Sequence, residues 1–169
     1  MVKNKTSQYI FFILLSCTAI FIDRISKILA IKHLASGRRF PVFSDILEFL
    51  YSENRGAAFG ILQGQKLLFF IIGFLVIIGI FYVLHRLPCT PKYLYLYLCM
   101  VLIFSGAIGN LIDRVIYGYV VDFIYFVPID FPIFNIADIY VSLATFFLII
   151  LFLFVYKDED MEFMKRSRS

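Results

Sequence analysis

Residues 67–84 read LLFFIIGFLVIIGIFYVL, from Leu67 to Leu84, without one charged side chain. At 1.5 Å per residue this stretch makes a helix about 27 Å long, close to the ~30 Å of hydrocarbon in a bilayer. Three comparable stretches lie on either side of it. The first begins at Tyr9, runs to Ile22 and continues as a helix through Asp23, Arg24 and Lys27 to about Ile31; the others are Tyr93 to Ile112 and Ile136 to Tyr156. Spans at 9–31, 67–84, 93–112 and 136–156 predict an all-α membrane protein of four transmembrane helices. Composition agrees, with 62% hydrophobic residues, 19% aromatic and only 17% charged, far from the roughly 45–50% apolar share of a soluble domain. The length of 169 residues predicts a single domain covering 1–169.

The connections are unequal. Residues 85–92 form a short turn with Pro88 and Pro91, whereas 32–66 and 113–135 are long. Four spans put both long loops on one side and the termini with the short turn on the other. Lys3, Lys5, Arg86, Lys92, Lys157, Lys165, Arg166 and Arg168 gather on the second side, which predicts that it is cytoplasmic. The formal charge of +4 is scattered and forms no patch for nucleic acid; Lys165, Arg166 and Arg168 read as a tail facing anionic lipid.

Lys3 and Lys5 before an apolar run resemble a secretory signal, but Asp23-Arg24 follows Ile22 where a cleavage site would stand, so an uncleaved first span is expected. Leu14-Leu15-Ser16-Cys17 has the look of a lipobox, yet the apolar run continues past Cys17, which reads as a small apolar residue within the span. Cys89 and Cys99 have no metal-ligand spacing, and His33 and His85 lie in no zinc motif. No metal or other cofactor is expected.

In the first long loop, Pro41-Val42-Phe43 and Leu47-Glu48-Phe49-Leu50-Tyr51 predict short strands on the membrane surface. Ser52-Glu53-Asn54-Arg55-Gly56-Ala57-Ala58-Phe59-Gly60 follows, a turn whose small residues permit close backbone approach and whose Asn54 both donates and accepts. On the third span Gly106, Asn110 and Asp113 share a helix face, with Gly109 and Arg114 beside it. The plain reading is packing glue ended by an Asp113–Arg114 ion pair. On the fourth, Asn135, Asp138, Ser142 and Thr145 form one polar stripe, and Asp138 lies about one turn inside the apolar run. An unpaired carboxylate there is costly, so Asp138 needs a partner or a proton. Asp122, in Val120-Val121-Asp122-Phe123-Ile124, is favoured as that partner by spacing, with Asp113 and Asp130 as competitors. Two such carboxylates can share a proton and act as general base and general acid.

Five separated blocks then carry a family resemblance: Asp23-Arg24-Ile25-Ser26-Lys27, Asn54-Arg55-Gly56-Ala57-Ala58-Phe59, Gly109-Asn110-Leu111-Ile112-Asp113-Arg114, Val120-Val121-Asp122-Phe123 and Phe134-Asn135-Ile136-Ala137-Asp138. In this order, over most of the chain, they resemble the lipoprotein signal peptidases, or signal peptidase II. The resemblance implies that Asp122 and Asp138 are a catalytic aspartyl pair, and that Asp23, Asn54, Gly56, Asn110, Asp113, Arg114, Asn135 and Ala137 line or support the site. It also implies four transmembrane helices with a small β-rich cradle on the outer face, a diacylglyceryl-modified prolipoprotein as substrate, cleavage just before its lipidated cysteine, and blockage by globomycin. A monomer in a bacterial cytoplasmic membrane, with no nucleic-acid partner, is the matching expectation. The competing reading from another class is a small proton-linked transporter or channel subunit using Asp122, Asp138 and Arg114 as a relay.

Overall fold

Four helices long and apolar enough to cross a membrane organise the chain. The computed structural model describes residues 4–56 and 65–165. Ala57, Ala58 and Phe59 of the Asn54 loop, Lys3, Arg166 and Arg168 lie outside the described residues. The helices are α1 (Lys5–Leu34), α2 (Lys66–Arg86), α3 (Leu94–Ile116) and α4 (Ile136–Ile150), the last extended by a π-helical turn over Leu151–Val155. Each of the first three outruns its apolar stretch. Lys32, His33, Arg86 and Arg114 occupy last turns, where cations suit the helix C-terminus, so charge that ends the hydrophobic run does not end the helix. A short helix, α5 (Glu162–Lys165), closes the described chain.

Large apolar side chains such as Leu14, Phe74, Leu75, Phe146 and Leu153 point outward, as a lipid solvent requires. Helix α3 is central and packs against α1, α2 and α4. Buried Phe12 anchors the inner core, its ring 6.0 Å from Phe81, 6.1 Å from Tyr97 and 5.3 Å from Phe104. Lys5 of α1 donates to the carbonyls of Leu84 and Leu87, Tyr156 to that of Lys92, and Arg86 to that of Met164. These bonds hold the start of α1, the α2–α3 turn and the C-terminal segment together at one end of the bundle.

The other end carries an antiparallel three-stranded sheet in the order β1 (Arg39–Phe43), β2 (Leu47–Asn54), β3 (Val120–Phe126). The first two strands are those expected. The third is not: residues 113–135 are no simple loop, since α3 continues to Ile116, Gly118 turns the chain at φ +81, and β3 follows. Val120 to Phe123 are all buried, so the strand has no polar alternation by which it could be recognised. Ser52 pairs with Asp122 and Asn54 with Val120, which makes Asn54 a diagonal, same-face neighbour of Asp122. Beyond β3, Phe134 returns to Ile124 through hydrogen bonds of 2.8 and 3.0 Å, so Asn135 and the start of α4 come to lie beside the strand.

The α3–α4 crossing depends on a missing side chain. A Cβ on Gly106 would stand 2.6 Å from the Ala137 carbonyl oxygen and from Val141 Cγ2. Backbone cannot yield cheaply, so Gly106→Ala is expected to cost about 1–3 kcal/mol. At Gly79 nothing lies within 4 Å of the same atom; Gly79→Ala is expected to be neutral or to stabilise by up to about 1 kcal/mol. Thermal unfolding in detergent checks both, and a Gly106→Ala protein as stable as the wild type would contradict the close crossing.

Candidate active site

Where the sheet meets the bundle, an ionic layer forms the base of the site. Asp23, Lys27 and Asp113 are fully buried. Lys27 Nζ lies 2.9 Å from Asp23 Oδ2 and 3.0 Å from Asp113 Oδ2, and Arg24 pairs with Asp113 Oδ1. Two cations meet two carboxylates, which removes the net charge that lipid and protein interior would penalise. The remaining acceptor capacity ties down backbone. Asp23 Oδ1 accepts the Ala137 N–H at 3.0 Å, one of the unpaired donors at the start of α4, and Asp113 Oδ2 accepts the Val121 N–H at 3.1 Å. Gly109 makes room, since a Cβ there would stand 2.5 Å from Asp23 Oδ2.

The expected Asp113–Arg114 pair does not form. Neighbours in a helix point about 100° apart, and Asp113 turns inward to Arg24 and Lys27. Arg114 instead donates to the carbonyls of Asn110 and Gly56, both at 3.2 Å, while its guanidinium lies over Phe69 at 4.3 Å from the ring centre. It thereby joins α3, the Asn54 loop and α2.

Above the ionic layer three asparagines hold the two remaining carboxylates. Asn54 Nδ2 donates to Asp122 Oδ2 at 2.9 Å, and Asn135 Nδ2 to Asp122 Oδ1 at 2.6 Å. Asn110 Nδ2 donates to Asp138 Oδ1 at 2.9 Å, and the Asn135 backbone N–H to Asp138 Oδ2 at 3.1 Å. Asn135 Nδ2 also reaches Asn110 Oδ1 at 3.2 Å, closing a circuit between the carboxylates. Asn54 Oδ1 in turn accepts the Gly56 N–H at 3.0 Å, which shapes the loop.

Asp138 is shallower than its place in the apolar run implies. It is the third residue of α4, and with Asn135 as N-cap it forms a reciprocal capping box, a favourable seat for a carboxylate. The stripe continuing to Ser142 and Thr145 faces outward; Thr145 bonds its own helix through the Val141 carbonyl at 2.8 Å. Asp130, left-handed at φ 48, accepts from Tyr125 at the surface and belongs to neither layer. Asp122 is 2% exposed. Burial, with the Asp138 charge adding to it, pushes its carboxyl up to about 7.

All ten residues singled out from the sequence fall within this one network. Lys27 and Arg24 stand in the sequence only as members of a motif, and the structure places both in the ionic layer. The signal that could have found Lys27 is the i,i+4 spacing from Asp23 on a membrane helix, where neither charge is tolerable alone. A transmembrane relay is not supported: among the described residues the buried charged side chains, Asp23, Lys27, Asp113 and Asp122, all lie in this network, and the polar groups buried deeper in the bundle, Gln8, Ser16 and Ser105, carry no charge.

Four membrane helices, a small sheet and a buried polar network at their junction are the features to set beside known proteins. Residues 15–154 match the family described as Signal peptidase (SPase) II. The chain belongs to that family. It is 46% identical over 153 residues to the lipoprotein signal peptidase of Clostridium tetani, covering 89% of this chain and 95% of that one. To the same enzyme of Clostridioides difficile it is 40% identical, over 85% and 95%. A solved bacterial membrane enzyme superposes with a TM-score of 0.75 at 33% identity, covering 94% of this chain and 93% of the other.

The raised Asp122 carboxyl has a consequence for stability. Its folded value, about 7, exceeds the ordinary 3.8, so the folded protein binds this proton more tightly than the unfolded chain does. The contribution is complete below the ordinary value and is lost as pH rises through about 7. Asp122→Asn cannot ionise, so its melting temperature relative to wild type is expected to climb from about pH 4 to about pH 7 and to level off above that. A difference that stays constant over that range would contradict the raised value.

Proposed function

We propose that this protein is an aspartyl endopeptidase that removes the signal peptide from diacylglyceryl-modified bacterial prolipoproteins, with Asp122 and Asp138 as the reacting pair and the whole of 1–169 as one peptidase domain. The observation that carries the reading is Asn135, which touches both carboxylates, Asp122 Oδ1 through its amide at 2.6 Å and Asp138 Oδ2 through its backbone N–H at 3.1 Å. Two aspartates held by one residue, with the Asp138 charge acting on the Asp122 carboxyl, support reading them as a coupled pair.

Burial makes Asp122 the partner that keeps the proton, and the capped helix start suits Asp138 as the carboxylate. Asp138 takes a proton from water as the hydroxyl attacks the scissile carbonyl carbon, and Asp122 gives its proton to the carbonyl oxygen. The tetrahedral diol then collapses. Asp122 recovers a hydroxyl proton, Asp138 passes its own to the leaving nitrogen, and the C–N bond breaks. Asn54 and Asn135 hold Asp122 in position while Arg114 ties the Asn54 loop to α3. Cleavage falls just before the lipidated cysteine, whose acyl chains stay in the bilayer beside the exposed faces of the helices. The enzyme works as a monomer in the bacterial cytoplasmic membrane, termini inside and sheet outside.

The test is gel-shift cleavage of a diacylglyceryl-modified prolipoprotein by purified protein. Asp122→Asn and Asp138→Asn are each expected to lose roughly 10²–10⁴-fold in kcat while remaining folded. Wild-type activity should fall as pH rises through about 7, because the Asp122 proton is then lost. Globomycin is expected to block cleavage. A folded variant with full activity would remove that aspartate from the reaction.

A further inference from the structure

Lys27 lies outside the reacting pair, yet its ammonium is fully buried: it forms ion pairs with Asp23 Oδ2 at 2.9 Å and Asp113 Oδ2 at 3.0 Å and donates a hydrogen bond to Asn110 Oδ1 at 2.9 Å. The two ion pairs balance charge. The hydrogen bond does something else, because an ammonium group has three donors and no acceptor. Only the oxygen of an amide can face it.

The direction of every amide above it follows. With Oδ1 of Asn110 turned to Lys27, its Nδ2 must face Asp138 Oδ1. Asn110 Oδ1 then also receives Asn135 Nδ2, which turns the Asn135 amide so that Nδ2 meets Asp122 and Oδ1 accepts the Asp138 N–H at 3.0 Å. Each reacting carboxyl therefore finds N–H donors on the asparagine side. A catalytic proton cannot be given away into that network and stays available to substrate. Were Asn110 flipped, its oxygen would oppose Asp138 Oδ1, acceptor against acceptor, and its amine would oppose two donors.

We infer that Lys27 is a positioning residue of the reaction, whose ammonium fixes the orientation of the Asn110 and Asn135 amides and through them the geometry of Asp122 and Asp138. The inference rests on the aspartyl-pair reading above. The charged groups around this network are Asp23 and Arg24 on α1, Asp113 and Arg114 on α3, Asp122 on β3 and Asp138 on α4. The hydrogen-bond path from Lys27 to Asp122 and Asp138 runs through the asparagines, while its charge alone acts directly on Asp122, in the direction that favours ionisation; removing that charge equally from two variants isolates the asparagine path.

Lys27→Met alone leaves two buried carboxylates against one cation and risks unfolding. The decisive comparison uses two charge-balanced double variants, Lys27→Met with Asp23→Asn and Lys27→Gln with Asp23→Asn. The Asp23→Asn change keeps an oxygen for the Ala137 N–H. Glutamine at position 27 restores a neutral donor toward Asn110 Oδ1, which methionine there lacks. With melting temperatures and prolipoprotein cleavage measured on both, the double variant with Lys27→Met is expected to lose about 10–100-fold in kcat with KM little changed. The one with Lys27→Gln is expected to recover about tenfold of that at similar stability. Equal kcat in the two proteins, whether high or low, would overturn the inference and leave Lys27 as charge balance. The single variants Asp122→Asn and Asp138→Asn run alongside. If both are inactive while the double variants match each other, the failure belongs to the Lys27 inference alone; if either keeps full activity, the aspartyl-pair reading falls and this inference with it.

Discussion

The membrane-embedded part of the site rests on the neutral group of Asp23, Arg24, Lys27 and Asp113. Carboxylates at the edge of a bilayer are tolerated only when paired and hydrogen-bonded, and truncating one partner leaves its mate buried and unbalanced. Because Asp23 also accepts from α4 and Asp113 from β3, the charges do more than cancel. They attach helix start and strand to α1 and α3, and those two elements bear Asp138 and Asp122. Buried ion pairs add little net stability over apolar packing, but they specify geometry, and here they join four elements at one point.

Glycines and asparagines divide the remaining work. Gly106 and Gly109 let α3 approach the start of α4 and the Asp23 carboxylate closely enough for these bonds to be short. The asparagines supply donors that carry no charge, which matters beside two carboxylates proposed to exchange a proton. A lysine contacting Asp122 or Asp138 directly would favour full ionisation of both. Asn110 instead stands between Lys27 and Asp138, so the cation bonds to neither carboxylate of the proposed pair.

Much of this is legible in the chain. The spans follow from hydrophobic length, and β1 and β2 follow from β-branched and aromatic residues between turns. The ten residues of the proposed site come from the cost of polar groups near a bilayer together with a family resemblance. Three features are hidden, each for a physical reason. Strand β3 is buried along its first four residues, so its apolar run carries no period to separate it from the helix before it. Sequence adjacency pairs Asp113 with Arg114, whereas helix geometry sends adjacent side chains to different faces and the true partners lie nearly ninety residues away on α1. The central place of Lys27 emerges only once α1 and α3 are packed, because the acceptor of its hydrogen bond, Asn110, is remote in sequence.

The depth of Asp138 links this architecture to its proposed chemistry. Read as one turn inside the apolar run, it would sit where water is scarce; as the third residue of α4, it sits where backbone N–H groups still point outward for lack of a preceding turn. A hydrolytic residue needs water, and a lipidated substrate needs to leave its acyl chains in hydrocarbon. Only the boundary satisfies both. The sheet reaches the same level from the loop side, and β3 delivers Asp122 there from a strand that cannot slide without losing the Ser52–Asp122 and Asn54–Val120 register. One carboxylate is fixed by a helix start and the other by a sheet register, so their relation is set by two rigid elements rather than by a flexible loop, as a pair sharing one proton demands.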